Sequence, residues 1–286
     1  MMSPIRHNVA MRVAVTGAAG LIGGIVFDRL VSDGHDVIGI DRPHDDWVAS
    51  GRNTDDSKAP SRVTHHYDLV DATDDEWQLM LSGCEVVVHL AADANPSNSD
   101  ESMMLNNVGV TTMLMKNALD AGVRRVVLSS SGLTQVGLES ELIEGGSLEG
   151  KLIGVKHGVS TTSAYGDSKV FVEQLGEYYS FRHGMECVAV RIGTVIPNES
   201  EHWERGGRLQ ATAFLKSDVS NFFSLSVIAD YSKWDPKSCE GHPAVKNYLL
   251  TAAQSNSPNR FIDLEPGLTA LGWSPIEWPN SSENLQ

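Results

Sequence analysis

The stretch RVAVTGAAGLIGG, Arg12–Gly24, decides the fold. Its first half is a short Val-rich run of the length a buried parallel strand needs, and its second half is a glycine loop opening a helical stretch near 20–33. In that setting Gly17, Gly20 and Gly23 let the backbone turn tightly, approach a pyrophosphate and pack the helix on the sheet. Leu21 and Ile22 begin the helix, whose N-terminal N–H groups face the phosphates. A glycine trio alone is common in turns. The strand before it and the helix after it make this one a dinucleotide-binding loop.

Outward from the loop the alternation repeats. DVIGID (Asp36–Asp41), RVTHHYDL (Arg62–Leu69), EVVVHLAA (Glu85–Ala92), RRVVLSSS (Arg124–Ser131) and ECVAVRIG (Glu186–Gly193) read as further buried strands, with helical stretches near 73–82, 100–121 and 163–182. Strict alternation predicts an α/β chain with a doubly wound parallel sheet, the Rossmann arrangement. After Gly193 the rhythm breaks. Residues 194–286 are richer in Pro, Asn, Ser and Trp, and their few regular pieces are expected to cluster over the strand ends. The expected organisation is an N-terminal extension (1–10), a dinucleotide-binding domain (11–193) and a mainly substrate-binding C-terminal region (194–286). Arg42–Ser61 and Gly137–Thr161 read as insertions or loops.

Composition excludes several classes. The 286 residues carry a formal net charge of -15, which argues against a nucleic-acid partner. No stretch has the apolar length of a membrane span, and the start lacks a secretory apolar run, so a cytoplasmic location is expected. Cys84, Cys187 and Cys239 lie far apart without C-x-x-C spacing, which suits neither a disulfide framework nor a zinc site, and nothing asks for a metal.

The strand ends carry the remaining cofactor signals. Asp41 ends the second strand at the distance expected of a ribose-binding acid, which favours NAD by repelling the extra phosphate of NADP. Arg42 beside it could stack on adenine or pair with a 2′-phosphate. Asp68 and Leu69 can meet the adenine, while Leu90, Ala91 and Ala92 supply small residues where a cofactor crosses the sheet. In SAYGDSKVFVEQL (Ser163–Leu175), Tyr165 and Lys169 stand four apart and share a helix face.

In this order, the glycine loop, Asp41, Asp68-Leu69, His89–Ala92, Asn106–Val108, Ser129–Ser131 and Tyr165-x-x-x-Lys169 resemble the extended short-chain dehydrogenase/reductase family over about the first two-thirds of the chain. That resemblance implies that Tyr165 is the general base and that Lys169 favours its phenolate and holds the nicotinamide ribose. It also implies that Ser131 orients the substrate oxygen and that Asn107 steadies the helix and a relay water. Later segments, Phe214–Phe223 and Asn259–Pro275 among them, are similar to the uronate dehydrogenase branch and its NAD-dependent sugar dehydrogenases, which oxidise an anomeric hydroxyl to a lactone. Where that branch reads S-S-N-H, this chain has Ser130, Ser131, Gly132 and Leu133, so the sugar pocket differs.

Around that core, Ile192 in the sixth strand is expected to meet the cofactor, and Thr194 just after it to touch the carboxamide or substrate. Gly132 lies at the substrate end, and Arg205 or Arg208 could pair with a carboxylate or phosphate or stay on the surface. His202, Trp203 and Gln210 are weaker candidates. The expected substrate is a sugar-like small molecule: a uronate, an aldose or a sugar phosphate. An NAD-retaining nucleotide-sugar epimerase or dehydratase, and a non-catalytic dinucleotide sensor, are the alternatives. The family resemblance further implies a homodimer formed through the helices near 100–121 and 163–182.

Overall fold

Strands β1 (Arg12–Thr16), β2 (Asp36–Asp41), β3 (His65–His66), β4 (Val86–His89), β5 (Arg125–Ser131), β6 (Glu186–Ile192) and β7 (Tyr248–Ala253) form one sheet. Its order is β3-β2-β1-β4-β5-β6-β7, and every neighbouring pair is parallel. The computed structural model describes residues 10–43, 59–95, 98–143, 147–196, 207–276 and 278. The strand order reverses between β1 and β4, the switch point at which a doubly wound sheet opens a crevice beyond its carboxyl ends. The expected doubly wound fold is the one observed.

Helices α1 (Leu21–Ser32), α2 (Asp74–Leu81), α3 (Val110–Asp120), α4 (Ala164–His183), α5 (Lys216–Ile228) and α6 (Glu265–Leu271) accompany the sheet. Because both faces are covered, the central strands are buried in a near-continuous run rather than at alternate residues. All seven residues of β5 and all six of β7 are buried. Val13, Val15, Val88 and Val190 join one core with Phe214, Phe222, Phe223 and Trp273. Ala14, Val87, Leu128 and Ala189 join the other with Trp77, Leu114 and Met115.

Two expectations about the chain's course are corrected. Arg62–Leu69 is not one strand: Ala59–Arg62 is a helical turn, and only His65–His66 pair with β2. The cause is Arg62, whose guanidinium turns back to Asp28 of α1 (2.8 and 2.7 Å) instead of extending along the edge. The part after Gly193 also does more than cover strand ends. It supplies β7, which shields β6 from being an open edge, and α5, which packs along α1.

The Gly137–Thr161 stretch is stitched into this C-terminal part. Ile153 is fully buried and bridges to Ile262, Gln135 Nε2 donates to the Gly154 and Gly158 carbonyls (2.9 and 2.8 Å), and Lys156 pairs with Glu240 (2.8 Å). The stretches 1–9 and 44–58, and the candidates His202, Trp203 and Arg205, lie outside the described residues.

Candidate active site

The crevice at the switch point is a cleft of about 1230 Å³. Its floor begins at the glycine loop, where Gly17 N donates to the Ile40 carbonyl (2.8 Å) and so ties the loop to β2. A Cβ on Gly23 would lie 1.9 Å from the Gly17 carbonyl oxygen, so no other residue lets α1 start this close to the loop. Gly17, Gly20, Leu21, Ile22 and Gly23 all line the cleft. At its far end Asp41 accepts from Ala19 N (3.0 Å) and Arg42 N (2.8 Å), which fixes its carboxylate beside the loop. Arg42, Asp68 and Leu69 line the same end. Asp68 closes a turn by accepting from Val70 N (3.0 Å). A helix N-terminus, a close-packed glycine loop and a fixed acid at the second strand's end are the donor set that a dinucleotide's phosphates and ribose need.

Leu90, Ala91 and Ala92 form the central floor. Their backbone is held by a buried chain of hydrogen bonds. Thr16 Oγ1 accepts from Leu90 N and Ala91 N (both 3.2 Å) and therefore donates to His89 Nδ1 (2.7 Å). The opposite ring nitrogen then carries the proton and donates to Thr111 Oγ1 (3.2 Å), which donates to the Asn107 carbonyl (2.5 Å). Burial, helped by the nearby Lys169 charge, pushes His89 down to about 3, so the ring is neutral and serves as a fixed link.

Ser131, Tyr165 and Lys169 come together where α4 abuts the end of β5. Ser163 caps α4 by accepting from Gly166 N (3.2 Å), and a Cβ on Gly166 would come within 3.0 Å of the Leu133 carbonyl. That close approach sets the Tyr165 hydroxyl on the Ser131 side of the cleft. Lys169, one turn on, is 3% exposed; its Nζ donates to the Ser129 carbonyl (3.0 Å) and lies 5.6 Å from the centre of the Tyr165 ring. Ser131, Tyr165, Lys169 and Ile192 all line the cleft.

Electrostatics here differ from the simple expectation of a lowered tyrosine. Burial pushes Tyr165 up, the polar Ser131 side chain pulls it back and the Asp93 charge raises it further. Burial pushes Lys169 down to about 8. The lysine thus bears the main cost of the site, holding a charge where no carboxylate bonds to it.

Asn107 lies below the cleft in a π-helical segment, Met104–Gly109, a deviation often found at functional sites. Its side chain accepts from Asp93 N (2.8 Å) and donates to the Asp93 carbonyl (3.1 Å) and to Ser168 Oγ (3.0 Å). Ser168 in turn donates to the Tyr165 carbonyl (2.7 Å). Asn107 therefore pins the loop after β4 to the helix carrying Tyr165.

Several candidates stand elsewhere. Thr194 and Gly132 are not among the residues lining the cleft; the Thr194 hydroxyl pairs with that of Thr212 (2.8 Å), and Gly132 begins a 3-10 turn. Arg208 is committed to Glu139 through two bonds (2.7 and 2.8 Å), and Gln210 accepts from Asn259 (3.0 Å). The sequence reading missed Asp93, Asn98 and Ser102, which line the cleft near Tyr165, and Lys216, which lines it from α5. The polar run from Asp93 to Ser102 was their only signal.

Comparisons with known proteins agree with this geometry. The NAD dependent epimerase/dehydratase family matches residues 13–214. Among curated relatives, L-arabinose 1-dehydrogenase (NAD(P)(+)) of Haloferax volcanii is 33% identical over 189 residues, 65% of this chain and 67% of that one. NAD-dependent glucose-6-phosphate dehydrogenase of the same organism is 26% identical over 95% of this chain and 94% of its own. Uronate dehydrogenase from Agrobacterium tumefaciens superposes with a TM-score of 0.69 at 24% identity, covering 94% of this chain and 85% of that one, a likeness of fold. The chain belongs to the NAD dependent epimerase/dehydratase family; its cofactor is NAD, and it is an oxidoreductase acting on a CH–OH group.

Proposed function

We propose that this family member is a sugar dehydrogenase that oxidises the anomeric hydroxyl of a cyclic sugar to the lactone, with Tyr165 as general base. The observation that carries the reading is the convergence of Ser131, Tyr165 and Lys169 on one wall of the cleft, with the Lys169 ammonium 5.6 Å from the centre of the Tyr165 ring. Bound NAD supplies the hydride acceptor. Ser131 Oγ accepts from Leu133 N (3.2 Å), which fixes it as a donor toward the substrate oxygen or the tyrosine. Tyr165 takes the hydroxyl proton as the C–H bond is broken. Lys169, protonated at neutral pH, stabilises the phenolate that precedes this step and has donors left for ribose hydroxyls. Asp41 selects NAD over NADP by charge.

The test is reduced-nicotinamide absorbance on mixing protein, NAD and a panel of aldoses, uronates and sugar phosphates. Turnover lost in Tyr165→Phe supports the reading. NAD that co-purifies and resists exchange, without net reduction, would instead favour an epimerase or dehydratase. We further propose a cytoplasmic homodimer paired through α4 and the helical run from 100 to 120. Phe181 (73% exposed), Met104 (57%) and Tyr178 (52%) give these helices an uncovered apolar face. A light-scattering mass of one chain refutes the dimer.

A further inference from the structure

Three consecutive residues at the end of β5 face one stripe of α4, on which Tyr165, Lys169 and Glu173 stand four apart. Past the end of β4, which pairs with β5 only as far as Leu128, the Ser129 carbonyl accepts from Lys169 Nζ (3.0 Å). Ser131 shares the cleft wall with Tyr165. Between them Ser130 borders the cleft, yet its hydroxyl is turned to Glu173 and donates to Oε1 (2.6 Å) in a bond buried at both ends.

This middle contact is the most firmly held. Arg191, which faces Ser130 across the β5–β6 register, donates to both carboxylate oxygens of Glu173 (2.7 and 2.8 Å), and the Arg191 and Glu173 side chains are 3% and 6% exposed. The planar guanidinium fork leaves the carboxylate one orientation. On β7 the Tyr248 hydroxyl donates to the Glu173 backbone carbonyl (2.8 Å). A single helical residue is thereby tied to three neighbouring strands.

The rest of the interface between α4 and the sheet is smooth. Val172 is the one large apolar side chain that α4 buries fully, with Leu175 and Tyr179 partly buried, whereas Gly166, Ser168, Gly176 and Ser180 are small. A Cβ on Gly176 would come 2.9 Å from Leu128 Cδ1 and 3.3 Å from the Tyr248 ring, so the helix lies close on β5 and β7. Apolar contact is non-directional, and a close face of small residues lets a helix slide or turn, whereas a hydrogen bond weakens steeply with angle. Asn107 holds Ser168 (3.0 Å), which fixes the first turns of α4 to the loop after β4 but not to β5.

We propose that Ser130 and Glu173 are positioning residues of the reaction: their bond sets the register of α4 on β5 and so keeps Tyr165 at Ser131 and Lys169 on the Ser129 carbonyl. The inference rests on the dehydrogenase reading above and extends it to a buried bond behind the reacting wall.

Ser130→Ala tests it, because that variant removes the tie and leaves the Glu173–Arg191 pair whole. The assay takes NAD with the best substrate from a panel of aldoses, uronates and sugar phosphates. We expect kcat to fall on the order of tenfold while KM for the sugar and the NAD dissociation constant from cofactor titration stay within about twofold, the split that follows when only the reacting geometry is disturbed. Hydrogen–deuterium exchange read by mass spectrometry should quicken in peptides covering 164–175 and stay unchanged in those covering α1. A wild-type kcat in Ser130→Ala overturns the proposal. So does a loss of kcat matched by weaker NAD binding and faster exchange across the whole chain, which is a general loss of stability. No NAD reduction with any sugar overturns the dehydrogenase reading, and the exchange pattern then judges the tie by itself: quickening confined to 164–175 supports it, and its absence refutes it.

Discussion

Replacing Lys169 with methionine should make the protein more stable while abolishing its activity. Lys169 is pushed from 10.5 to about 8 by burial alone. Each tenfold change in proton affinity is worth about 1.4 kcal/mol, so keeping the ammonium protonated there costs about 3 kcal/mol. Methionine fills a similar volume and loses the bond to the Ser129 carbonyl, worth about 1 kcal/mol. The net gain at neutral pH is about 2 kcal/mol, or roughly 5 °C in melting temperature for a chain of this size. The folded-state value lies below the unfolded one, so the unfolded chain binds more protons between about 8 and 10.5. Wild-type stability therefore rises with pH through that window, and the cost is fully present only below it. Near pH 9.5 the advantage of Lys169→Met should shrink to a few tenths of a kcal/mol, an order-of-magnitude figure from the same linkage. Urea unfolding of both proteins at the two pH values, alongside an NADH assay, measures all of this. A methionine variant less stable than wild type at pH 7, or an advantage that does not change with pH, would refute the account of a lysine held at a cost for function.

Three further outcomes follow from particular contacts. Asp41→Ser should raise kcat/KM for NADP relative to NAD on the order of tenfold or more, by removing the charge that opposes a 2′-phosphate; an unchanged cofactor ratio would argue against the assigned ribose site. Glu173→Gln should destabilise the fold by about 3–5 kcal/mol in denaturant titration, because Arg191 is 3% exposed and its Nη1 already lacks a partner, leaving its charge uncompensated. A loss below about 1 kcal/mol would mean that the pair is solvated. Gly166→Ala should lower kcat on the order of tenfold or more with little change in NAD affinity, since the new methyl group pushes the first turn of α4 from the Leu133 carbonyl and carries Tyr165 with it; unaltered kcat would show that the turn absorbs the methyl.

The parts of this molecule that were legible in the sequence are those in which one local rule dominates. The Val-rich strands and the Arg12–Gly24 unit announce a parallel sheet because burial on both faces leaves few alternatives. Tyr165 and Lys169 are legible because helix periodicity alone places them together. Arg62–Leu69 misread because its apolar and β-branched residues look extended while a distant partner, Asp28, decides the path of Arg62. The partners of Thr194 and Arg208 were illegible for the same reason: Thr212 and Glu139 hold their side chains, and neither is near in sequence. Asp93 was legible only as part of the polar run to Ser102; that Asn107, fourteen residues on, ties its backbone to the helix of Tyr165 depends on a long-range contact.

That tie bears on how a shared framework yields different reactions. The glycine loop, Asp41 and the Ser131–Tyr165–Lys169 wall are fixed by strand ends and helix starts, so they serve any substrate whose CH–OH can be brought to the nicotinamide. Selectivity has to come from loops, yet a loop that moved freely would discriminate weakly, because a mobile charge relaxes away from an unwelcome group. Here the loop after β4 is referenced to the helix of Tyr165 through two bonds from Asn107 to the Asp93 backbone and one to Ser168. The π-helical segment sets Asn107 in that position, and its carbonyl ends the hydrogen-bond chain that runs through His89 and Thr16 to the cofactor floor. The floor at Leu90–Ala92, the helix of Tyr165 and the backbone of Asp93 are therefore tied together through one buried residue. A substitution at Asn107 should accordingly disturb NAD affinity and kcat together, read by cofactor titration and by NADH formation; a change in only one of them would argue against the shared tie.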